Sequence, residues 1–178
     1  MELLNSMVVN KPADQIWNLL GNDFVDVAKW MAAIPRSEAK SEGRRLPRAP
    51  AVGRLSYLIA KYNGAYQDET ITKYDNTNRS LGMEAVIMGF PKIAPVRGYS
   101  SEVTVTPIDE NSSKVTWNSV VHLRPHGYIF YLALKKSMNA GFIRNLEEIK
   151  HIIETGEPHP RKIKMMETEA LAIAAKSA

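Results

Sequence analysis

The strongest constraint on the fold is a long run of helical periodicity near the end of the chain. Residues 128–155 predict one continuous helix that ends at Gly156, and at ~1.5 Å per residue it would be about 40 Å long. Apolar residues recur along it at steps of three and four: Tyr131, Leu134, Met138, Phe142, Leu146, Ile149 and Ile152. A single apolar stripe of this length predicts that the helix lies against a large apolar surface formed by the rest of the chain.

Two residues interrupt that stripe. Gly141 and Asn145 lie on the buried side of the predicted helix, where a glycine costs about 1 kcal/mol relative to alanine. The glycine either leaves an open volume or lets an aromatic ring such as Trp117 or Tyr99 approach the helix backbone. The amide of Asn145 needs a hydrogen bond, which would come either from the sheet or from a ligand or cavity water.

The rest of the chain predicts an α+β domain. Residues 3–10 are typical of a strand, and two short helices follow, the first starting near Pro12 with Gly21 as its C-terminal cap. Six further strand-like segments with turn signals between them predict an antiparallel sheet of about seven strands. The predicted domain covers residues 1–156, and residues 157–178 form a tail that is either a short helix or disordered.

Composition argues against several classes of function. The chain has no cysteine, which removes disulfides, thiolate metal sites and a cysteine nucleophile, and fits a cytoplasmic location. The N-terminal residues lack the basic and apolar regions of a secretory signal, and no apolar run is long enough to span a bilayer. A net charge of +4 is modest, and no strand carries interleaved basic and aromatic residues, so no nucleic-acid partner is predicted.

Metal and cofactor motifs are also missing from the sequence. His122 and His126 are separated by Pro125 where a strand passes into a loop, so they do not share one helix face. No glycine-rich phosphate loop or nucleophile elbow is present. We therefore predict no metal and no cofactor, and the catalytic residues, if there are any, stay unassigned.

Four stretches resemble motifs of the helix-grip, or START-like, superfamily and occur in the same order. They are KPADQIWNLLGNDFVDVAKW, AVGRL, DETITKYDNTNRSLGM and KVTWNS. The second departs from the pattern, because Arg54 follows Gly53 directly. The resemblance covers residues 3–156 and is strongest to the polyketide cyclase/dehydrase and lipid-transport branch. It implies a curved sheet that wraps around the long C-terminal helix and encloses an apolar cavity.

The resemblance also implies a function. A binding or carrier protein is expected, with a small hydrophobic or amphipathic ligand such as a lipid, a polyketide-like ring or an isoprenoid. One alternative is a polyketide cyclase- or aromatase-like enzyme that uses acid–base residues of the cavity. Another is a stress-related or co-chaperone-like interaction module. The missing catalytic constellation favours binding over catalysis, and the sequence leaves open whether the chain forms a homodimer.

Strand alternation selects the candidate site residues. Side chains two apart share a face, so Ile71, if it points inward, brings Glu69 inward with it. Glu69 would either meet a ligand, as a binding group or a general base, or pair with Arg54 and fix the sheet. The predicted ligand-binding set is Glu69, Tyr99, Ser101, Trp117, Met83, Leu58, Met138, Gly141, Phe142 and Asn145. The resemblance further implies a gate at the cavity mouth, formed by Asn63, Gly64, Phe90 and Pro91.

Overall fold

One seven-stranded antiparallel sheet forms the centre of the structure, a computed structural model that describes residues 1–177. The strands are β1 (Glu2–Val9), β2 (Arg36–Ala39), β3 (Gly53–Tyr57), β4 (Tyr66–Asp75), β5 (Ser80–Met88), β6 (Val96–Pro107) and β7 (Ser113–Leu123). Their order in the sheet is β1-β7-β6-β5-β4-β3-β2. The first strand therefore pairs with the last, and every other neighbour in the sheet is also a neighbour in sequence.

Residues 1–177 form three α-helices, of which the first two pack against the sheet. They are α1 (Ala13–Trp17), α2 (Tyr131–Thr155) and α3 (Pro160–Ser177), and short π or 3-10 segments occupy residues 18–22, 24–29, 60–62 and 125–130. Phe142, Leu146 and Ile149 of α2 join the same apolar core as the inward side chains of the sheet. The predicted α+β helix-grip architecture is confirmed. No helix among the described residues has the length and apolar character needed to cross a bilayer.

Side chains two apart along each strand form the inner face of the sheet, as strand alternation predicts. In β7 this set is buried: Val115, Trp117, Ser119, Val121 and Leu123. The same holds in β5 for Leu81, Met83 and Ala85, and in β6 for Tyr99, Ser101, Val103 and Val105. Alternation is reliable here because one face of each strand packs on the core while the other meets solvent.

Two helix boundaries differ from the sequence prediction. α2 begins at Tyr131 because the preceding residues form a 3-10 segment, in which Gly127 N–H donates to Arg124 O at 2.8 Å. Gly21 is not a C-terminal cap: a Cβ at this position would lie 2.5 Å from the Trp17 ring. That glycine allows close packing against the indole, which a side chain would prevent. Gly156 does end α2, with a left-handed φ of 81°.

The tail beyond α2 is helical. Of the two alternatives that the sequence left open, the structure has the helix, α3. Arg161 pairs with Glu147 at 2.7 Å and Glu148 at 3.0 Å, and Lys162 Nζ donates to Ile34 O at 2.8 Å. Near the middle of α3, Glu169 accepts a hydrogen bond from the Ala60 N–H at 2.9 Å. The first half of α3 is thus held to the domain.

Candidate functional site

A partly open cavity of about 190 Å³ lies between the sheet and α2. It is lined by Met31, Ala33, Ile34, Arg54, Ser56, Gln67, Glu69, Tyr99, Trp117, Met138, Gly141, Phe142 and Asn145. Strands β3, β4 and β6 supply a polar end. Residues 31–34, β7 and α2 supply walls that are mostly apolar. The cavity is therefore amphipathic, and its polar groups are concentrated on one side.

An ion pair dominates the polar end. Arg54 Nε donates to Glu69 Oε2 at 2.5 Å, and Arg54 Nη2 donates to Glu69 Oε1 at 3.1 Å. The two residues lie directly opposite each other on β3 and β4. Ser56 Oγ adds a further hydrogen bond to Glu69 Oε2 at 2.5 Å. Glu69 is only 1% exposed, so this carboxylate is buried, neutralised and hydrogen-bonded on both oxygens.

The guanidinium of Arg54 is equally constrained. Its remaining nitrogen donates to the backbone carbonyl of Phe24, and its Cζ atom lies 4.1 Å from the centroid of the Phe24 ring. A guanidinium in bidentate contact with a carboxylate and stacked on an aromatic face is held in one orientation. The pair therefore forms a fixed floor of the cavity.

Tyr99 extends the polar network from β4 to β6. Its hydroxyl lies 2.7 Å from Gln67 Oε1 and 3.2 Å from Glu69 Oε1, and its single proton can be donated to only one of them at a time. Burial, and then the nearby Glu69 carboxylate, raises the pKa of the Tyr99 hydroxyl well above its usual value. Tyr99 is thus a neutral hydrogen-bonding group rather than a source of phenolate.

The network leaves little room for proton transfer by Glu69. A general base needs a free lone pair within reach of the substrate proton, together with a way to accept charge. Both Glu69 oxygens already accept hydrogen bonds from Arg54, and the pair is buried. Of the two interpretations of Glu69, the geometry favours the ion pair.

Aromatic side chains form the opposite wall. The Phe142 ring meets Tyr99 edge-on at a centroid distance of 6.0 Å and Trp117 at 5.5 Å. Within residues 1–177, the buried Nε1 of Trp117 has no hydrogen-bond partner. A buried indole N–H without an acceptor costs about 1–3 kcal/mol, so an acceptor brought in by a cavity occupant would relieve that cost.

Gly141 borders open space. Among the residues that the structure describes, nothing outside its own helix lies within 4 Å of the position that a Cβ on Gly141 would occupy. Neither Trp117 nor Tyr99 therefore packs against its Cα. Of the two explanations for this glycine, the geometry matches the open volume. One turn further on, Asn145 also borders the cavity.

Seven of the ten predicted ligand-binding residues line this cavity, and three do not. The Ser101 hydroxyl instead bonds Ser119 Oγ at 2.6 Å within the sheet. Met83 borders a separate void of about 10 Å³, beyond Trp117. Leu58 follows the last residue of β3, so strand alternation no longer fixes its direction, and it packs at the edge of the core.

The four predicted gate residues occupy two loops that contact each other. Asn63 and Gly64 form a left-handed turn, with φ values of 51° and 80°. The Tyr62 ring of this loop lies 5.4 Å from the Phe90 ring of the other, and Pro91 begins a turn there. None of the four gate residues lines the cavity within the described chain. Their gating role stays a prediction.

Six further residues of the described chain line the cavity but are not in the predicted ligand-binding set. Arg54 and Ser56 could have been found from pairing, because they lie directly opposite Glu69 and Gln67. Alternation from Glu69 also reaches Gln67. The remaining three are Met31, Ala33 and Ile34. They lie in an irregular segment after a 3-10 turn and carry no periodic signal.

Lys162 of α3 contacts the irregular segment that contains Ile34. It is 1% exposed, and its ammonium donates to Ile34 O. Burial outweighs the attraction of Glu148 and lowers the pKa of Lys162 to about 8. In the unfolded chain the same group titrates near its ordinary value of 10.5. Between these two pH values the unfolded state binds more protons, so stability rises with pH.

We therefore expect the free energy of unfolding of the unmodified protein to rise by about 1–2 kcal/mol between pH 7 and 9.5, relative to a Lys162→Met variant. Urea unfolding at a series of pH values measures this difference. Lys164→Met removes an exposed lysine of the same helix and should show no such trend. If the difference in free energy of unfolding between the unmodified protein and Lys162→Met did not change with pH, the ammonium of Lys162 would be solvated in the folded protein.

Metal ligands are not grouped in this structure. Across residues 1–177, no three histidine or acidic side chains are placed to hold a metal ion. The nearest pair of histidine rings, His151 and His159, has a centroid distance of 5.0 Å at the end of α2, away from the cavity lining.

Comparison with known proteins supports the α+β helix-grip fold described above. Residues 3–154 match the family described as polyketide cyclase/dehydrase and lipid transport. A START superfamily protein from Mycobacterium smegmatis has a TM-score of 0.63 at 11% identity, covering 86% of this chain and 97% of that one. The comparison with curated proteins gave no match.

Two further solved structures share the fold. The di-domain ARO/CYC BexL from the BE-7585A biosynthetic pathway gives a TM-score of 0.65 at 15% identity, covering 86% of this chain and 46% of that one. Norcoclaurine synthase from Thalictrum flavum, solved with dopamine and hydroxybenzaldehyde, gives 0.60 at 15% identity, covering 87% of each chain. At such identities the similarity concerns the fold alone.

Proposed function

Since the chain belongs to the polyketide cyclase/dehydrase and lipid transport family, we propose that it binds a small, neutral, amphipathic molecule in the cavity between the sheet and α2. The observation that carries this proposal is the open volume beside Gly141. A glycine in a helix interior lowers stability, and nothing among the described residues packs against this one. Its presence is explained if a ligand occupies the open volume.

Cavity size limits the ligand. An apolar cavity of about 150 Å³ holds one benzene molecule. A volume of about 190 Å³ therefore suits one substituted ring or an isoprenoid unit of similar size. A fused multi-ring polyketide or a long acyl chain exceeds this volume. The volume therefore supports the smaller of the predicted ligands, a single ring or a short isoprenoid.

Cavity chemistry limits the ligand further. Phe142, Met138 and Ile34 offer apolar contact, while Tyr99 and Asn145 offer hydrogen bonds. The charges of the Arg54–Glu69 pair neutralise each other, so an ionised ligand would meet no free counter-charge. A hydroxyl or carbonyl group attached to an apolar ring fits this environment best.

The enzyme alternative has less support. An acid–base cyclase mechanism through Glu69 requires that carboxylate to be unpaired, whereas Arg54 and Ser56 occupy both of its oxygens. Binding needs no change in this network.

A size-graded set of ligands tests the proposal. We expect 4-ethylphenol to bind at least about tenfold more tightly than ethylbenzene, because the hydroxyl gains a buried hydrogen bond. Anthracen-2-ol carries the same hydroxyl on three fused rings, and it should bind more weakly than 4-ethylphenol. Isothermal titration calorimetry, supported by the fluorescence of Trp117 in a Trp17→Phe/Trp30→Phe background, measures these affinities.

Two outcomes would contradict the proposal. If anthracen-2-ol bound most tightly, the cavity would expand on binding and the multi-ring alternative would replace ours. If none of the compounds bound and native mass spectrometry of the freshly purified protein showed no bound molecule, the cavity would have no ligand-binding role.

A further inference from the structure

A second surface of the molecule carries apolar side chains that meet water. Five large apolar residues from two segments are more than half exposed: Ile93 79%, Tyr128 61%, Ile129 80%, Phe130 58% and Leu132 80%. Single exposed apolar residues are ordinary on a protein surface, but a cluster of this size marks an interaction site. We call these five residues the apolar rim.

The two segments of the apolar rim are held together. The Arg124 N–H donates to Pro95 O at 2.8 Å, and a ring nitrogen of His126 lies 2.9 Å from Ile93 O. Gly127 packs so closely on Pro95 that a Cβ would lie 2.8 Å from its carbonyl oxygen. The loop before β6 and the 3-10 segment before α2 therefore form one continuous surface.

Positive charge predominates in the two segments that carry the apolar rim. Residues 89–97 and 124–136 contain five lysines and arginines and no aspartate or glutamate: Lys92, Arg97, Arg124, Lys135 and Lys136. Two carboxylates border the surface. Glu2 lies in the groove shared with Leu132 and the two lysines, and Glu84 lies in the depression shared with Arg97. The surface remains net positive when both are counted.

We propose that the apolar rim docks the protein onto an anionic lipid bilayer. Aromatic and branched aliphatic side chains insert at the boundary between headgroups and acyl chains, while neighbouring lysines and arginines contact the lipid phosphates. Each such cation near an anionic membrane surface strengthens binding, and several are needed for stable attachment. The exposed Leu132 shares a groove with Lys135 and Lys136, which is the pairing of apolar and cationic groups that such a surface requires.

Charge argues against a second copy of the chain as the occupant. In a symmetric dimer the same patch meets itself, so the net positive surface of one copy would face that of the other. A bilayer that contains phosphatidylserine supplies the opposite charge and has no fixed shape that the patch must match.

Vesicle co-sedimentation of the full chain tests the proposal. We expect partitioning onto vesicles of 70% phosphatidylcholine and 30% phosphatidylserine to exceed that onto pure phosphatidylcholine at least tenfold, with ~0.1 M salt present and weaker binding at higher salt. The variant Ile129→Ser/Phe130→Ser and the variant Lys135→Glu/Lys136→Glu should each reduce partitioning at least tenfold.

Matched controls use exposed residues elsewhere on the molecule. Ile108→Ser/Leu171→Ser removes two exposed aliphatic side chains, and Lys114→Glu/Lys164→Glu reverses two exposed charges. Both should bind the anionic vesicles as the unmodified chain does. Circular dichroism and thermal unfolding confirm that all four variants are folded.

Three results would overturn the proposal. The first is failure of the unmodified chain to sediment with the anionic vesicles. The second is equal loss of binding in the controls and the rim variants. The third is a dimer in light scattering that Ile129→Ser/Phe130→Ser converts to a monomer, since the rim would then be an interface between copies. Binding of 4-ethylphenol in the cavity is independent of all three.

Discussion

Replacement of Arg54 by methionine is expected to lower the free energy of unfolding by about 3–5 kcal/mol, the largest effect of any single substitution considered. The guanidinium is 5% exposed and supplies two of the hydrogen bonds to the buried carboxylate of Glu69. Methionine fills a similar volume but leaves that carboxylate without a counter-charge. Urea unfolding followed by fluorescence measures the loss.

A second variant separates the charge effect from the loss of packing. Arg54→Met/Glu69→Leu removes both charges together and should recover most of the lost stability, because replacing a whole buried pair by apolar groups is often neutral. Arg36→Met serves as the control, since the Arg36–Glu38 pair is exposed, and we expect it to cost less than about 1 kcal/mol. If Arg54→Met cost no more than this control, the pair would be solvated rather than buried.

Substitution of Gly141 by leucine is expected to weaken the binding of 4-ethylphenol by more than about 100-fold while leaving the fold intact. The new side chain enters the open volume beside α2 and occupies the place of a ring-sized ligand. Stability should rise rather than fall, because leucine is favoured over glycine in a helix by about 0.8–1 kcal/mol and the cavity becomes filled. Calorimetric titration and urea unfolding of the same sample measure the two effects.

Ser137→Leu provides the matched control for this variant. Ser137 lies one turn earlier on α2 and is exposed, so the same side chain there should leave the affinity unchanged. Gly141→Ala should also stabilise the helix, with a smaller loss of affinity because a methyl group leaves most of the cavity open. Undiminished binding of the phenol to Gly141→Leu would mean that the ligand occupies another part of the molecule.

Local periodicity explains what the sequence could predict of this site. The inward direction of Tyr99 and Trp117 follows from alternation along β6 and β7, and the positions of Gly141 and Asn145 follow from helical periodicity. These rules hold because a strand or helix with one buried face repeats its environment at a fixed step. The same rules predict the α+β class with an antiparallel sheet, whereas the helix-grip architecture follows from the resemblance of four sequence stretches to motifs of that superfamily.

Contacts between distant segments explain what the sequence could not predict. The sequence left open whether Glu69 meets a ligand or pairs with Arg54, because the outcome depends on the register of β3 against β4, which no single strand encodes. The segment that contains Met31 and Ile34 is irregular, and it accepts a hydrogen bond from Lys162, far along the chain. Cavity volume depends on the packing of all these groups at once, so residue patterns alone could not provide it.

The exposed apolar rim shows a different limit of sequence reasoning. Helical periodicity predicts a helix that begins at residue 128, with an apolar stripe that starts at Tyr131. In the structure, the 3-10 segment before α2 turns Tyr128, Ile129 and Phe130 toward solvent. A rule that places apolar residues in the core cannot identify apolar residues that are exposed to solvent.

The contacts of α3 have a consequence for where this protein can be shortened. The match to the family ends at residue 154, yet Glu148, which is 2% exposed, accepts one hydrogen bond from Ala32 N–H and another from Arg161 of α3. A chain cut at the family boundary would keep that buried carboxylate and lose its cation. The segment that matches the family is therefore shorter than the segment in which this buried carboxylate keeps its cation, and we expect a stable shortened chain to need the first turn of α3.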